Sequence, residues 1–253
     1  MNAQPCQTPR IWTGWEEPGV WAIQMCDAAG NNALGEPLVE ELQTALGAAE
    51  DPAVKVMVLL GLPEVFCSGA PPELLQRLAA GEVAATDILL ARAVLDVPVP
   101  VVAAMEGHAI GGGLALGCCA DLVLIARDSR YGASFMNMGF TPGMGITRLL
   151  EHVLSPAVAQ ELLYTGEFRK GADFCGSSGF NAILPRAEVR GRAFELAWRI
   201  ADKPRPALEL LKRVLSVRRR QAFEETRTLE ALMHGLSFGQ AEVRRRIEEE
   251  YVQ

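Results

Sequence analysis

A strand, a run of glycines and a helix follow one another in the middle of the chain, and this junction limits how the chain can fold more than any other segment. The glycine triplet 111–113 follows an apolar run at 99–105 that is typical of a buried strand, and it precedes small and apolar residues at 114–120 that can continue as a buried helix. Glycines at such a junction let the backbone approach a ligand closely and leave N–H groups exposed where the helix begins. The segment 107–113 therefore predicts a site for a phosphate or an oxyanion.

Strand and helix patterns alternate through the first three-quarters of the chain. Apolar runs that are typical of buried strands occur at 20–25, 54–60, 99–105 and 122–125. Helical periodicity occurs at 35–50 and 73–95. This alternation predicts an α/β fold with parallel strand pairing.

The last quarter of the chain has a different pattern. From about Ala187 onward helical periodicity dominates, and Pro204 marks the start of a further helix. Two arginine runs lie in this part, at 218–220 and 244–246, and the second stands four residues before the glutamates 248–250. We expect both runs to form solvated helix faces with ion pairs worth ~0.3 kcal/mol each, and not a nucleic-acid patch.

The acidic balance of the chain argues against nucleic acid or an anionic membrane as the main partner. The 253 residues carry a net charge of −7, whereas nucleic-acid-binding domains are basic. The six cysteines include no C-x-x-C pair and no histidine spacing suited to zinc, so we expect reduced thiols, no metal and a cytoplasmic protein. We expect neither a signal peptide nor a membrane span, because no unbroken apolar run reaches ~18 residues.

A dinucleotide cofactor is an alternative ligand for the glycine segment. Gly111, Gly113 and Gly117 give only a loose form of the dinucleotide fingerprint, and Asp128 is the one acidic candidate for contact with the ribose. A lone glycine pattern is weak, and here it lies in mid-chain. Because no Gly-Lys-Ser/Thr occurs, a Walker A loop is excluded.

An oxyanion hole usually pairs two N–H donors, and the sequence offers a second candidate loop. The segment V-F-C-S-G-A at 65–70 follows a predicted strand and leads into a helical pattern. Together with G-H-A-I-G-G-G at 107–113, it resembles the crotonase (enoyl-CoA hydratase/isomerase) superfamily. Further motifs match in the same order along essentially the whole chain, at 31–34, 120–121, 139–143 and 164–166.

The resemblance implies a particular α/β fold, a crotonase-type spiral of ββα repeats. It assigns the spiral core with the oxyanion hole to residues 1–190 and a C-terminal helical trimerisation region to residues 191–253. It also implies a homotrimer, or a hexamer made of two trimers.

The resemblance further implies that the N–H groups of Ala70 and Gly112 polarise a thioester carbonyl. A thioester enolate needs stabilisation where its charge forms, and fixed N–H dipoles supply it without reorganisation. Their neighbours Ser68, Gly69 and Gly111 are expected to contact the substrate. No cofactor is expected, since the substrate itself is carried on the phosphopantetheine arm of an acyl carrier protein or of coenzyme A.

Two acids of the hydratases in this superfamily are missing from the chain. The matching positions hold Ala115 and Phe135, and the addition of water needs a positioned proton donor and acceptor. Phe135 and Met138 are expected to line a dry pocket, which disfavours a free carboxylate on the substrate. Loss of carbon dioxide moves that charge into an enolate that the oxyanion hole can hold. The pattern therefore favours decarboxylation over hydration and over double-bond isomerisation.

A closer resemblance points to the decarboxylating crotonases of polyketide β-branching cassettes. It rests on Phe135 with Met136, on 139–143, on 161–167 and on His234 with Ser237 and Phe238. It implies the loss of carbon dioxide from a 3-methylglutaconyl group on an acyl carrier protein, which leaves a 3-methylcrotonyl-type group. It also implies that His234 donates a proton or binds the departing carboxylate.

One residue that the resemblance implies is absent. The lysine that follows the first oxyanion loop in those proteins has no match, because no lysine occurs between Lys55 and Lys170. Arg77 is the remaining cation in the first helix after the loop, and it either binds the substrate carboxylate or faces solvent. A hydratase or isomerase and a non-catalytic subunit that binds acyl carrier protein stay open as alternatives.

Overall fold

The computed structural model describes residues 9–83 and 88–251 as strands and helices that alternate up to residue 184 and as helices alone thereafter. The strands are β1 (Ile11–Glu17), β2 (Val20–Met25), β3 (Val56–Leu60), β4 (Val65–Cys67), β5 (Val101–Met105), β6 (His108–Ile110), β7 (Leu122–Ala126), β8 (Arg130–Gly132), β9 (Phe168–Lys170) and β10 (Ala182–Leu184). The helices are α1 (Glu36–Leu46), α2 (Pro72–Ala79), α3 (Ile88–Asp96), α4 (Gly112–Cys118), α5 (Ile146–Leu149), α6 (Pro156–Thr165), α7 (Arg186–Ala201), α8 (Arg205–Leu215), α9 (Val217–Phe238) and α10 (Ala241–Tyr251).

The strands form two sheets, and the chain passes repeatedly from one to the other. The larger sheet has the order β1-β2-β3-β5-β7-β10 and the smaller one the order β4-β6-β8-β9. The pairs β3–β4, β5–β6 and β7–β8 each send one strand to each sheet, and the first two pairs are followed by α2 and α4. Pairing is parallel except for β1 with β2 and β8 with β9. The predicted spiral of ββα repeats is therefore confirmed.

The strands that the sequence predicts are present. The strand at 20–25 is β2, and those predicted at 54–60 and 99–105 begin two residues later, as β3 and β5. These strands could be predicted because every residue of β3 and β5 is buried. A strand that is buried on both faces of a parallel sheet is a continuous apolar run in the sequence. The hairpin partner β1 was not predicted, because most of its side chains are exposed and carry no apolar run.

The helical pattern predicted at 73–95 corresponds to two helices in the structure. The structure ends α2 at Ala79 and begins α3 at Ile88. Gly81 has a φ of +73°, a left-handed conformation that stops the helix. Residues 84–87 of the predicted helix lie outside the described residues.

The helical pattern predicted from Ala187 onward is confirmed by α7 to α10. Helix α7 covers the second face of the larger sheet, with Val189, Ala193 and Ala197 packed against β3, β5 and β7. It crosses residue 190, so the division of the chain at that position stays a prediction. None of the helices that the structure describes is long and apolar enough to cross a membrane.

The first arginine run differs from the expected solvated face. Arg219 is paired with the Asp121 carboxylate and donates to the Ala120 carbonyl at 2.5 Å. The buried ammonium of Lys212 lies 2.9 Å from the same carboxylate. Burial lowers the pKa of Lys212, while Asp121 opposes that change. This cluster attaches the C-terminal helices to the larger sheet, because Asp121 also accepts the Val101 N–H at 2.8 Å.

Candidate active site

The first predicted loop leaves β4 at Cys67 and turns sharply at Gly69. Gly69 has a φ of +89°, and a Cβ at this position would lie 2.8 Å from the Ile110 carbonyl oxygen and 3.4 Å from the Gly112 nitrogen. Glycine is required both by the backbone conformation and by this contact. The turn brings Ala70 to the start of the glycine triplet, so the two predicted loops meet.

The second loop turns into α4 at the glycine triplet. Gly111 has a φ of +52°, and a Cβ on Gly113 would lie 2.2 Å from the Cys67 carbonyl oxygen. The triplet is therefore explained by one left-handed residue and one close approach between the loops. Within residues 9–83 and 88–251, neither the Ala70 N–H nor the Gly112 N–H donates to a protein acceptor. Both donors stay available for a ligand.

The segment 31–34 holds the first loop in place through hydrogen bonds. The Leu34 N–H donates to the Gly69 carbonyl at 2.7 Å, and the Ser68 N–H donates to the Asn31 carbonyl at 3.2 Å. The Asn32 side chain is fully buried, and its amide donates to the Phe66 carbonyl at 3.1 Å. Asn32 is thus a positioning residue for the loop. The segment 31–34 matches a family motif, but this role of Asn32 was not predicted from the sequence.

A cavity of about 140 Å³ opens between the two loops. Eight of the nine predicted site residues line it: Ser68, Gly69, Ala70, Gly111, Gly112, Phe135, Met138 and His234. The rest of the lining is mostly apolar, from Leu34, Val39, Leu74, Leu75, Leu78, Val83, Phe140, Met144 and Phe238. The polar remainder consists of Glu36 and Ser134. The structure therefore assembles the predicted site, and the roles of its residues stay predictions.

Arg77 is the predicted site residue that the structure leaves outside. Its guanidinium lies 3.3 Å from the Glu36 carboxylate, both side chains are exposed, and Arg77 does not line the cavity. The expected contact with a substrate carboxylate is not supported by this position. The second of the two predictions made for Arg77, an exposed side chain, agrees with the structure.

No pair of acids faces the cavity in the part of the chain that the structure describes. Glu36 is the one carboxylate in the lining, and it lies at the exposed start of α1. Ala115 is buried inside α4, and Phe135 presents an aromatic ring where a second acid would stand. The cavity therefore lacks the donor and acceptor that water addition needs.

His234 reaches the cavity from the long helix α9. It is 7% exposed, and its Nε2 lies 2.8 Å from the Thr141 carbonyl oxygen. Phe140 and Phe238 contact the imidazole at ring-centre distances of 6.4 and 5.5 Å, both edge to face. The ring is thus fixed by one hydrogen bond and two aromatic contacts, as a group that exchanges a proton requires.

Glu230 stands one helical turn before His234 and fixes another loop of the cavity wall. Its carboxylate is 1% exposed and accepts the N–H groups of Gly145 at 2.6 Å and Thr147 at 3.2 Å. These bonds hold the loop that places Met144 against Gly112, where a Cβ would lie 3.1 Å from the Met144 sulfur. Sequence reasoning missed Glu230, although an acid four residues before a site histidine on a helix shares its face.

Cys67 and His108 lie in the two loops, and their surroundings give each of them a structural role. Burial raises the pKa of the Cys67 thiol to about 12, so it is no nucleophile at neutral pH. His108 accepts the Arg130 N–H on Nδ1 at 2.8 Å, which makes it a residue that fixes the loop. Within the described ranges, no group of three or more His, Cys, Asp or Glu side chains is placed to hold a metal ion.

Comparison with known proteins gives matches along nearly the whole chain. The sequence profile of the family described as enoyl-CoA hydratase/isomerase matches residues 16–252. The bacillaene synthase decarboxylase PksI of Bacillus subtilis is 38% identical over 232 residues, which are 91% of this chain and 93% of that protein.

Two solved structures superpose closely on this chain. One, from a dehydratase/decarboxylase enzyme couple involved in polyketide β-branching, has a TM-score of 0.92 and 37% identity over 96% of this chain and 100% of that one. The other is the ECH2 decarboxylase domain of CurF from Lyngbya majuscula, with a TM-score of 0.91 and 35% identity over the same shares. The likeness therefore extends over nearly the whole chain.

Proposed function

The chain belongs to the enoyl-CoA hydratase/isomerase family, and we propose that it is a lyase that removes carbon dioxide from a 3-methylglutaconyl-type thioester on an acyl carrier protein during polyketide β-branching. One observation carries this proposal: among the described residues, the N–H groups of Ala70 and Gly112 have no protein acceptor, and these two residues line a cavity in which no pair of acids is found. Such a cavity can hold an enolate but cannot activate water. The likeness to the decarboxylases PksI and CurF ECH2 supports the same reaction.

The oxyanion hole receives the electrons of the broken bond. The thioester oxygen binds the N–H groups of Ala70 and Gly112. The bond between the carboxylate carbon and the γ-carbon breaks, and its electron pair passes through the α,β double bond to the thioester oxygen. Carbon dioxide leaves, and the dienolate stays on the two N–H donors. Neither a metal nor a redox group is needed, because the fixed N–H dipoles stabilise the charge that develops.

The apolar wall of the cavity promotes this step. Phe135, Met138 and Phe140 are buried and line the cavity near Gly111, where a Cβ on Gly111 would lie 3.9 Å from the Phe135 ring. A carboxylate is poorly solvated beside such a wall, whereas neutral carbon dioxide is not penalised. The wall therefore favours the neutral product over an anionic group that has no charged partner.

His234 completes the reaction by protonating the γ-carbon. A carbonyl oxygen only accepts hydrogen bonds, so Nε2 carries a proton to reach the Thr141 carbonyl and Nδ1 is the nitrogen free to exchange. The protonated ring gives its Nδ1 proton to the γ-carbon, and the electron pair returns from the oxygen to restore the carbonyl. The product is a 3-methylcrotonyl thioester, and solvent restores the proton on His234.

The proposed assembly is a homotrimer, or a hexamer of two trimers, in the cytoplasm. Helices α8 and α9 expose a set of large aliphatic side chains, Leu210, Leu211, Val214, Leu215, Leu229, Leu232 and Leu236. Large exposed apolar patches are typical of protein–protein interfaces. Contact between copies of this helical region would cover it.

Mass spectrometry of the loaded carrier protein tests the proposed reaction. The protein is incubated with 3-methylglutaconyl acyl carrier protein, and we expect the phosphopantetheine-linked mass to fall by one carbon dioxide. An unchanged mass would contradict the proposal and favour a non-catalytic carrier-binding subunit. Crotonyl-CoA serves as the second substrate, and its hydration would assign the chain to the hydratases instead.

A further inference from the structure

A second cavity adjoins the first on the far side of His234. Its volume is about 320 Å³, and it lies between the end of α2 and the helices α9 and α10. The two cavities share the side chains of Leu78, Val83, His234 and Phe238. A substrate that reaches from the oxyanion hole past the imidazole therefore enters the second cavity.

The two cavities differ in the sign of their charged lining. Among the described residues that line the cavities, and apart from the shared His234, Glu36 is the charged side chain of the first cavity and Arg244 is that of the second. The small residues Ala79 and Ala80 line the wall on α2 and leave space there. An anionic group on the substrate is disfavoured near Glu36 and favoured near Arg244.

Arg244 is free to bind a ligand, unlike the arginines that follow it. Arg245 is committed to Glu242 and Glu249, and Arg246 donates to Glu242 and to the Asn137 carbonyl. Over the described parts of the chain, the Arg244 guanidinium donates to no protein acceptor and makes no ion pair, although its backbone N–H donates to the Gln240 carbonyl. A guanidinium that faces a cavity without a partner can form a bidentate pair with a carboxylate.

We propose that Arg244 binds the carboxylate of the substrate and so selects acyl thioesters with an acidic end. The inference rests on the proposed function, since it names the residue that orients the group to be lost. Because His234 lines both cavities, a substrate with its thioester on Ala70 and Gly112 and its carboxylate on Arg244 would pass the imidazole. The ion pairs predicted for the second arginine run are then made by Arg245 and Arg246.

Binding of two unreactive thioesters tests the inference separately from catalysis. 3-Methylglutaryl-pantetheine and isovaleryl-pantetheine differ by the carboxylate alone, and neither can decarboxylate, because each lacks the double bond that accepts the electrons. We expect Arg244→Met to weaken binding of the acidic thioester by roughly 10- to 100-fold, as loss of a charge-assisted pair does. Binding of isovaleryl-pantetheine should not change, and Arg244→Lys should restore part of the lost affinity.

A matched control and a second measurement separate the outcomes. Arg245→Met alters the next residue of α10, and we expect it to bind both thioesters like the wild type. If Arg244→Met weakens the binding of both thioesters equally, the inference is wrong and Arg244 contacts the pantetheine arm. If it weakens the binding of neither thioester, the inference is wrong as well. If the wild type releases no carbon dioxide from the carrier-bound substrate, the proposed function fails, while the affinity difference between the two thioesters still decides the role of Arg244.

Discussion

The Nε2 atom of His234 lies 2.8 Å from the carbonyl oxygen of Thr141. Thr141 belongs to a loop of the cavity wall, and its N–H donates to the Ser237 hydroxyl at 3.3 Å, one turn after His234 on α9. This pair of bonds ties the loop and the helix together. It also assigns the proton on the imidazole, because Nε2 must donate and Nδ1 is left for exchange.

Replacement of His234 tests its role as a proton donor. We expect His234→Gln to lower kcat for carbon dioxide release by roughly 10²- to 10⁴-fold, the usual contribution of a positioned acid. Glutamine keeps a donor for the Thr141 carbonyl but cannot transfer a proton. The rate is measured by mass spectrometry of the carrier-bound product.

The control for this variant is another histidine of the chain. His152 is exposed and lines neither cavity, so His152→Gln should keep wild-type kcat. If His234→Gln retains the wild-type rate, another group donates the proton. In that case, the role proposed for His234 is wrong.

The fold was predictable where the signal is local. The buried strands β3 and β5 are continuous apolar runs, and the glycine triplet reflects backbone contacts within one junction. The positions of Asn32 and Glu230 could not be predicted in the same way. Each is a polar residue that is satisfied by partners brought close by folding alone, Glu230 with a loop more than 80 residues away.

The site shows the same division between local and long-range signals. Eight of the predicted residues line the cavity, but the sequence left two roles open for Arg77, as a partner of the substrate carboxylate or as an exposed side chain. The Glu36 carboxylate pairs with Arg77 across 41 residues, and sequence reasoning had no way to see this pair. In the sequence, Arg244 is one of three consecutive arginines and cannot be told from its neighbours. Their different surroundings depend on where each side chain lies on the folded helix.

Substitution of Gly69 tests the geometry of the oxyanion hole. Gly69→Ala places a Cβ 2.8 Å from the Ile110 carbonyl oxygen at a φ of +89°, so the turn must shift. We expect a loss of stability of about 1–3 kcal/mol. We also expect kcat to fall by roughly 10²-fold or more, as when an oxyanion donor is misplaced. Urea unfolding and the decarboxylation assay give the two values.

The control for this variant is a glycine without steric demand. A Cβ on Gly47 meets nothing within 4 Å, and the residue has a φ of −60°. Gly47→Ala should leave both the free energy of unfolding and kcat near their wild-type values. A Gly69→Ala variant with wild-type kcat would contradict the placement of the oxyanion hole beside Ala70.

Asn32 gives a test of the buried support under the first loop. Its side-chain amide donates to the Met25 and Phe66 carbonyls at 3.2 and 3.1 Å, and its carbonyl accepts the Asp27 N–H at 2.9 Å. Asn32→Asp removes both donors and buries an acid, so we expect the free energy of unfolding to fall by about 1–3 kcal/mol or more. Urea unfolding of Asn32→Asp beside Asn31→Asp, which changes an exposed neighbour, measures the difference. Equal stability of the two variants would show that the buried amide does not support the loop.

The exposed leucines of α9 give a test of the proposed assembly. Leu229, Leu232 and Leu236 follow one another at three and four residues along the helix, and Leu236 is 75% exposed. They therefore share one face, and an interface of copies would bury it. We expect Leu236→Glu to shift the protein from a trimer or hexamer towards the monomer in light scattering after size exclusion, because a carboxylate in an apolar interface is poorly solvated. Leu236→Met keeps the face apolar and should keep the wild-type assembly. A monomeric wild type, or an unchanged oligomer in Leu236→Glu, would mean that this face is not the interface that holds the copies together.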